Sequence, residues 1–226
     1  MLEIRNLRKM YTPKKGLKDL SIDIPAGSIT AIAGPNGAGK STFFNLLNGI
    51  LTPQNGSCKL DGVDINSVSL NQTGFLPEAD YLVDRFTVTQ MIDYMIQMKG
   101  ISVDRKEIDE LISGFSLERN KNTVIEDLSQ GMYKRVEIIC AIIGFPSLIV
   151  LDEPLNALDI QSVIYLKKIL YSAKAAKCHI LISSHVLDFF DDLVDSVVFM
   201  KDGQVVKQSA NTGISIEALY RETFGI

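Results

Sequence analysis

The residues with the most evident chemical potential lie in one glycine-rich segment, residues 34–42. It reads Gly-Pro-Asn-Gly-Ala-Gly-Lys-Ser-Thr and satisfies the P-loop pattern. Glycines at this spacing let backbone N–H groups approach phosphate oxygens, and the helix expected to follow adds partial positive charge at its N-terminus. Lys40 can reach the β- and γ-phosphates of a triphosphate, and the Ser41 hydroxyl can ligate Mg²⁺. The segment therefore predicts a nucleoside triphosphate site formed by Asn36, Gly37, Ala38, Gly39, Lys40, Ser41 and Thr42.

A second candidate is a pair of adjacent carboxylates at the end of an apolar run. Residues 148–151 are all aliphatic and are followed by Asp152 and Glu153. A buried strand ending there places both acids at the carboxyl edge of a sheet, where α/β proteins bind ligands. We expect Asp152 to ligate Mg²⁺ and Glu153 to polarise the water that attacks the γ-phosphate. A general base of this kind typically contributes about 10²–10⁴-fold in rate.

A third segment, residues 128–132, reads Leu-Ser-Gln-Gly-Met and precedes an amphipathic helical pattern. Ser129 can cap that helix, whose N-terminus then suits a phosphate. The sequence holds a single P-loop, so one chain has one nucleotide site of this kind. The second phosphate-binding helix end, at Ser129, is therefore expected to serve the nucleotide held by another copy. A GTPase is not favoured, because residues 120–123 are the nearest match to the guanine-reading Asn-Lys-x-Asp motif and lack its aspartate.

On these motifs the chain resembles the nucleotide-binding subunits of ATP-binding cassette (ABC) transporters, over essentially its whole length. Residues 128–132 resemble the family signature Leu-Ser-Gly-Gly-Gln, keeping Ser129 and Gly131 but departing at Gln130 and Met132. The resemblance implies that ATP is the nucleotide, and that Ser129 and Gly131 contact the ATP held by a second ATPase subunit, most simply in a homodimer.

The resemblance also implies roles for three residues outside these segments. Tyr11 corresponds to the aromatic residue that stacks on adenine, although a tyrosine at a strand end is an equally good interpretation of the sequence alone. Asp159 ends a loop, residues 156–159, that crosses the dimer interface in this family. His185 follows a predicted strand and corresponds to the histidine that contacts the γ-phosphate, so Glu153, His185 and Lys40 are the expected catalytic residues.

Glu78 departs from the family pattern, which usually has a glutamine that senses Mg²⁺ and contacts the membrane partner. A carboxylate at this position can ligate Mg²⁺ or orient water, but it adds negative charge beside Asp152 and Glu153. Leu-Pro-Glu at residues 76–78, with a Ser-x-Gly-Met signature, is similar to the bacterial branch that exports drugs, bacteriocins and antibiotics.

The implied function is the ATP-hydrolysing subunit of an exporter, working through a separate transmembrane permease subunit. Such a chain is cytoplasmic and peripheral on the inner face of the cell membrane. Two alternatives stay open: a soluble ABC ATPase acting on a cytosolic assembly, as in iron–sulfur assembly, and a nucleotide-gated binding module with little turnover. The first predicts no cofractionation with membranes, and the second predicts negligible phosphate release.

The elements that must position these residues follow from hydrophobic patterns. Short strands are predicted at the N-terminus, over residues 2–7, 20–24 and 28–33, separated by turns such as Thr12-Pro13-Lys14. Residues 148–151 and 179–182 predict buried parallel strands. Lys201-Asp202-Gly203 predicts the turn of a C-terminal hairpin.

The middle of the chain predicts helices instead. Thr87 and Gln90 form a capping-box pattern before a helix that ends at Gly100, and its methionines Met91, Met95 and Met98 favour core packing over a docking surface. Further helices are predicted from Asp104 and near Gln130. The fold class is therefore α/β, a P-loop NTPase core with a mostly parallel sheet, an N-terminal antiparallel β subdomain and an inserted α-helical subdomain. We expect one ABC ATPase domain over 1–226, with 1–83 and 144–226 as ATP-binding core and 84–143 as helical signature subdomain.

Composition is consistent with this interpretation and excludes other classes. The 226 residues are 46% hydrophobic and 22% charged, as in ordinary globular proteins. A net charge of −4 gives no basic footprint, so no nucleic-acid partner is expected. The longest apolar run, residues 138–151, is too short and too interrupted to span a membrane, and no signal peptide is evident. Three separated cysteines and two histidines predict neither a disulfide framework nor a zinc site.

Overall fold

The computed structural model describes residues 1–13, 15–78 and 80–226, so Lys14 of the predicted turn lies outside the described residues. The strands are β1 Leu2–Met10, β2 Gly16–Ile24, β3 Ser28–Ala33, β4 Asn55–Leu60, β5 Val63–Asp64, β6 Thr73–Leu76, β7 Leu148–Leu151, β8 His179–Ser183, β9 Ser196–Lys201 and β10 Gln204–Ala210. The α-helices are α1 Lys40–Leu47, α2 Val88–Lys99, α3 Arg105–Gly114, α4 Gln130–Ile142, α5 Ile160–Ala175 and α6 Ile216–Phe224. Short 3₁₀ turns occupy Ile65–Ser67, Leu70–Gln72, Glu118–Asn120, Ile125–Asp127 and Leu187–Phe190.

A six-stranded sheet forms the centre of the molecule, in the order β10-β9-β3-β8-β7-β6. Its pairs are parallel except β9–β10, which form the predicted hairpin. The hairpin turn is Asp202-Gly203, and both residues have the positive φ values, 51° and 78°, that a tight two-residue turn requires. Because β3, β6, β7 and β8 run in one direction, their carboxyl ends lie along the same edge of the sheet.

The N-terminal strands form a separate antiparallel sheet in the order β2-β1-β4-β5. The predicted strands over 2–7 and 20–24 are therefore confirmed, and both are longer than predicted. This second sheet and α1 share one hydrophobic core, which covers one face of the central sheet. The mixed α/β architecture with an antiparallel N-terminal sheet confirms the predicted fold class.

The other face of the central sheet packs against α2, α3, α4 and α5. Adjacent residues of the buried strands alternate between the two cores: Ile149 faces the helices, and Val150 faces α1 and the N-terminal sheet. α4 crosses β6 at close range, and a Cβ on Gly74 would lie 1.9 Å from the carbonyl oxygen of Ala141. Only glycine fits on β6 at this crossing.

The helices begin at the predicted caps. Thr87 and Gln90 form a complete capping box before α2, and Gly100 ends that helix in the left-handed conformation. Asp104 caps α3 and Ser129 caps α4. The core-packing prediction holds for Met91, which is buried, and is wrong for Met98, which is 51% exposed near the end of α2.

The longest helix is α5, with 16 residues. Within the three described ranges, none of the helices combines the length and the apolar character needed to cross a membrane.

Candidate functional site

The P-loop connects the central strand β3 to α1 at the carboxyl edge of the sheet. Gly39 caps α1 with φ 102°, a backbone conformation that a residue with a side chain rarely adopts. Gly34 lies so close to β9 that a Cβ would be 2.2 Å from the carbonyl oxygen of Met200. Both glycines are therefore required by the path of the loop, which wraps around the start of α1.

Lys40 extends back along this loop. Its Nζ donates a hydrogen bond to the carbonyl oxygen of Gly34 at 2.8 Å, and the residue is 8% exposed. Burial lowers the pKa of Lys40, and the neighbouring carboxylates of Glu153 and Asp152 oppose that shift. The Lys40 amine thus lies in a cleft that already contains negative charge. A bound phosphate would offer its oxygens to Lys40 Nζ in place of the carbonyl oxygen of Gly34.

Asp152 and Glu153 directly follow β7, and a serine on the neighbouring strand connects them. Ser183, at the end of β8, donates a hydrogen bond to Oδ1 of Asp152 at 2.5 Å. Its hydroxyl accepts a hydrogen bond from the backbone N–H of Glu153 at 2.9 Å. Ser183 is fully buried. Sequence analysis missed this residue because a serine at a strand end is common, and only the pairing of β7 with β8 brings it to the carboxylates.

Glu153 has an unusual backbone and a second partner. Its φ is 49°, in the left-handed region that residues other than glycine seldom occupy and that is enriched at functional sites. His185 holds the side chain: its backbone N–H lies 3.2 Å from Oε2 of Glu153, and its Nε2 lies 3.1 Å from Oε1. Burial raises the pKa of Glu153, and His185 opposes that shift. This pairing keeps a largely buried carboxylate in one orientation.

Glu78 follows β6 and completes the acidic side of the cleft. Ser41 donates a hydrogen bond to Oε2 of Glu78 at 3.3 Å. Burial raises the pKa of Asp152, hydrogen bonds from Ser183 and Ser41 oppose that rise, and the charge of Glu78 adds to it. Two carboxylates and a hydroxyl form an oxygen donor set of the kind that Mg²⁺ prefers. The described residues contain no cluster of three His, Cys, Asp or Glu side chains able to hold a metal by itself, so water and phosphate oxygens would complete the coordination of Mg²⁺.

These residues line one cleft of about 570 Å³, which we name the P-loop cleft. Tyr11, 56% exposed, lies at its edge, next to Lys15 and Gly16, which sequence analysis did not predict. The remaining lining residues are Asn36, Gly37, Ala38, Gly39, Lys40, Ser41, Thr42, Glu78, Asp152, Glu153 and His185. The structure thus brings together every residue predicted in the P-loop, both carboxylates, Glu78, Tyr11 and His185.

Three predicted residues lie elsewhere: Ser129, Gly131 and Asp159 are not part of this lining. Ser129 is exposed and its hydroxyl accepts a hydrogen bond from the N–H of Met132, which caps α4. Asp159 caps α5 through the N–H of Ser162 at 2.8 Å. Within one chain, the start of α4 and the loop before α5 form a second surface, separate from the P-loop cleft.

Comparison with known proteins gives a consistent result. The family model described as "ABC transporter" matches residues 17–156. The lantibiotic transport ATP-binding protein SrtF of Streptococcus pyogenes is 31% identical over 213 residues, which cover 94% of this chain and 92% of SrtF. The uncharacterized ABC transporter ATP-binding protein YhaQ of Bacillus subtilis is 31% identical over 210 residues, covering 92% of this chain and 70% of YhaQ. A solved structure described as the ATP binding subunit of an ABC transporter superposes with a TM-score of 0.90 at 28% identity, covering 99% of both chains.

Proposed function

The chain belongs to the ABC transporter family of ATP-binding proteins, and we propose that it is the ATPase subunit that drives export through a separate membrane subunit. One observation carries this proposal. The P-loop cleft contains a buried lysine, three carboxylates and a histidine arranged for hydrolysis, while the capped start of α4 lies outside it. The chain therefore carries the residues for ATP hydrolysis in one cleft. The N-terminus of α4 is a second phosphate-binding helix end, outside that cleft.

ATP occupies the P-loop cleft with its phosphates on the loop and its adenine near Tyr11. The N–H groups at the start of α1 and the Nζ of Lys40 bind the β- and γ-phosphates. Ser41, Asp152 and Glu78 are the residues that would hold Mg²⁺, and a bound Mg²⁺ would supply positive charge against the phosphates. Lys15, also in the lining, adds a cation at the adenine end of the cleft.

Hydrolysis depends on Glu153. Its carboxylate accepts a proton from the attacking water, and its raised pKa favours that role because a general base works best when its pKa approaches the ambient pH. His185 bonds to the same carboxylate from an exposed position, with 55% of its side chain accessible. It can therefore turn toward the γ-phosphate when ATP enters, and Glu153 is then freed to orient water.

Two copies enclose two ATP molecules in a head-to-tail dimer. Ser129 and Gly131 of one copy contact the γ-phosphate held in the cleft of the other, because they lie at a helix N-terminus outside the P-loop cleft of their own chain. Asp159 lies in the loop that crosses between the copies. Hydrolysis removes the γ-phosphate from this contact, and the dimer opens.

The membrane subunit docks in an apolar groove beside α2. The groove has a volume of about 470 Å³, and Tyr94, Met95 and Met98 of α2 line one side of it. Phe75 and Pro77 also line the groove, and Pro77 directly precedes Glu78 in the chain. A segment seated there contacts the strand end that carries Glu78, so opening of the dimer is transmitted to the membrane. The chain then lies at the cytoplasmic face of the membrane through this partner.

The substitution Glu153→Gln tests the ATPase mechanism. We expect the variant to bind ATP, to lose nearly all hydrolysis, and to elute as a dimer when ATP is present. Glu110→Gln is the matched control, since Glu110 is exposed on α3, and it should behave as the wild type does. A Glu153→Gln protein that stays monomeric with ATP in the absence of Mg²⁺ contradicts the head-to-tail dimer.

Membrane partnership is tested by gentle solubilisation of membranes from cells that produce the tagged chain. A polytopic membrane protein should copurify with the wild type and should be lost when Met98→Glu alters the groove. Met98 is exposed, so the substitution is compatible with folding. A chain found only in the cytosolic fraction favours the alternative of an ATPase acting on a soluble assembly.

A further inference from the structure

The loop between β8 and β9, residues 184–195, contributes His185 to two cavities. We name it the His185 loop. One cavity is the P-loop cleft, and the other has a volume of about 380 Å³ and is also lined by Tyr220 and Arg221 of α6. The imidazole thus has open space beside it that is not part of the P-loop cleft, so the ring can turn without displacing α6.

The second half of the His185 loop is held from outside by Asn211, the residue that directly follows β10. The Nδ2 of Asn211 donates hydrogen bonds to the carbonyl oxygens of Asp191 at 2.8 Å and Val194 at 2.9 Å. Its backbone N–H donates to the carbonyl oxygen of Asp195 at 2.8 Å. One half-buried asparagine therefore satisfies three carbonyl groups of the loop, two of them through its side chain.

Helix α6 holds the same stretch of the loop. The Oδ1 of Asp191 accepts a hydrogen bond at 2.7 Å from the backbone N–H of Ile216, the first residue of α6. A carboxylate is favourable at this end of a helix because of the helix dipole. The helix is fixed in turn by Tyr220 and Phe224, whose ring centres lie 6.2 and 6.1 Å from that of Phe199 on β9. Residues 191–194 are thus fastened to the C-terminal part of the fold.

The stretch from Val186 to Val194 is a series of hydrogen-bonded turns. The N–H of Phe189 donates to the carbonyl oxygen of Val186 at 3.3 Å, and the N–H of Val194 donates to that of Phe190 at 3.1 Å. Phe190 is fully buried in the core. Because Val186 directly follows His185, a displacement at the Val194 end of these turns is passed on to His185.

We infer that Asn211 is a positioning residue for ATP hydrolysis, because it fixes the far end of the His185 loop and so sets where His185 meets Glu153. The inference rests on the proposed role of His185 in hydrolysis. The backbone N–H and the Nε2 of His185 lie 3.2 and 3.1 Å from the two carboxylate oxygens of Glu153, and such contacts weaken within a few tenths of an ångström. Asn211 does not line the P-loop cleft, so its effect falls on kcat and not on ATP binding.

The test is a double-mutant cycle between Asn211 and His185. Asn211→Ala should lower kcat roughly tenfold and change KM for ATP less than about twofold. Single-turnover hydrolysis of radiolabelled ATP resolves the slow rates of the His185→Ala background. There the same substitution should lower the rate by less than about twofold, since residues that act through one another are not additive. Asn66→Ala is the control, because Asn66 is exposed and bonds to Asp64, and it should leave kcat unchanged.

A second pair of variants carries the test if Asn211→Ala does not fold. Asp191→Ala removes the acceptor of the Ile216 N–H, whereas Asp191→Asn keeps an oxygen at that place. We expect Asp191→Ala to lower kcat several-fold and Asp191→Asn to retain at least about half of the wild-type kcat. Hydrogen exchange of the backbone amides in residues 184–190 gives a readout besides activity. It should be about fivefold faster or more in Asp191→Ala and in folded Asn211→Ala, and unchanged in Asn66→Ala.

Three results would overturn the inference, and they are distinguishable. If His185→Ala keeps the wild-type kcat, the proposed role of His185 fails and the inference fails with it. If His185→Ala loses activity while Asn211→Ala and Asp191→Ala keep the wild-type kcat, only the positioning role of Asn211 fails. If Asn211→Ala lowers the rate equally in both backgrounds, Asn211 supports the fold in general and does not act through His185.

Discussion

Gly131 lies so close to the carbonyl oxygen of Ala157 that a Cβ on Gly131 would be 2.6 Å from it. This contact joins the first turn of α4 to the loop between β7 and α5. Ala157 itself has φ 64°, so its carbonyl is presented by a left-handed backbone turn. Packing within one chain therefore requires glycine at position 131, besides any contact that Gly131 makes with a nucleotide of the other copy.

The first prediction concerns this contact. Gly131→Ala should lower the free energy of unfolding by about 1–3 kcal/mol in the absence of ATP, because the added methyl group displaces a backbone carbonyl. Urea denaturation of the nucleotide-free protein measures it. The neighbouring exposed residue provides the control, Gln130→Ala, for which we expect little change. Unaltered stability of Gly131→Ala would mean that the glycine serves only the nucleotide.

The second prediction concerns Arg135, which ties the same two segments together. Its guanidinium donates to the carbonyl oxygen of Phe115 at 3.1 Å and to Oδ2 of Asp159 at 2.8 Å. Arg135→Ala should lower kcat for ATP roughly tenfold to a hundredfold, with KM nearly unchanged, because the loop at Asp159 loses its position while the P-loop cleft stays intact. Steady-state ATPase assays separate the two constants.

Two variants complete the Arg135 experiment. Arg135→Lys keeps the charge but cannot span both acceptors, so we expect an intermediate kcat. Arg105→Ala removes an exposed arginine of α3 that pairs with Asp93 at 3.5 Å, and it should leave kcat unchanged. Equal losses of kcat in Arg135→Ala and Arg105→Ala would indicate a nonspecific effect on the helices.

The third prediction concerns Ser183, which bonds to both Asp152 and Glu153. Ser183→Ala leaves a buried N–H and a buried carboxylate oxygen without this partner, which should cost about 1–3 kcal/mol of stability. It should also lower kcat more than it weakens ATP binding, because the orientation of Glu153 depends on it. Ser184→Ala is the control, since the hydroxyl of Ser184 bonds to the N–H of Val186 and to neither acid. Wild-type kcat in Ser183→Ala would contradict the positioning role.

The fourth prediction concerns Glu78. If its carboxylate ligates Mg²⁺, Glu78→Gln should raise the Mg²⁺ concentration for half-maximal ATPase activity about tenfold or more. Titration of Mg²⁺ at fixed ATP measures this, and Glu78→Asp should stay closer to the wild type. Without Mg²⁺, Glu78→Gln should bind ATP more tightly, because it removes a negative charge beside Asp152 and Glu153. If Glu78→Gln has the same Mg²⁺ requirement as the wild type, Glu78 does not ligate Mg²⁺ and its remaining role is to orient water.

The fifth prediction concerns pH and Lys99, at the end of α2. Its buried ammonium donates to the carbonyl oxygens of Cys140 at 2.9 Å and Ala141 at 3.4 Å, and burial lowers its pKa from 10.5 to about 8. Between these values the unfolded chain binds more protons than the folded chain, so stability rises with pH in that window. Relative to Lys99→Met, the wild type should therefore gain up to about 3 kcal/mol as pH rises from below 8 toward 10.5.

Denaturation with urea on both sides of pH 8 measures this difference for Lys99. Lys106→Met removes an exposed lysine of α3 and should show no such dependence. A difference between wild type and Lys99→Met that is independent of pH would show that the Lys99 ammonium stays protonated throughout.

Features that depend on neighbouring residues in the chain were predictable from the sequence. The P-loop requires glycines within one short loop, the capping box joins Thr87 to Gln90, and the hairpin turn needs Asp202 and Gly203 in left-handed conformations. Each is satisfied by residues a few positions apart, so its physical requirement is visible in the order of residue types. The family resemblance then indicated which of these local motifs act together at one nucleotide site.

The tertiary structure alone decided which distant residues meet. Ser183 reaches Asp152 because β8 pairs with β7. Glycine is required at position 131 because the backbone of Ala157, 26 positions later in the chain, leaves no room for a side chain. Helical periodicity placed Met98 with the core, whereas the packing of α2 left it exposed. Such contacts depend on strand register and helix packing, which are set by the shape of the whole core. A pattern along the sequence records that a side chain is apolar or polar, and packing alone determines what it touches.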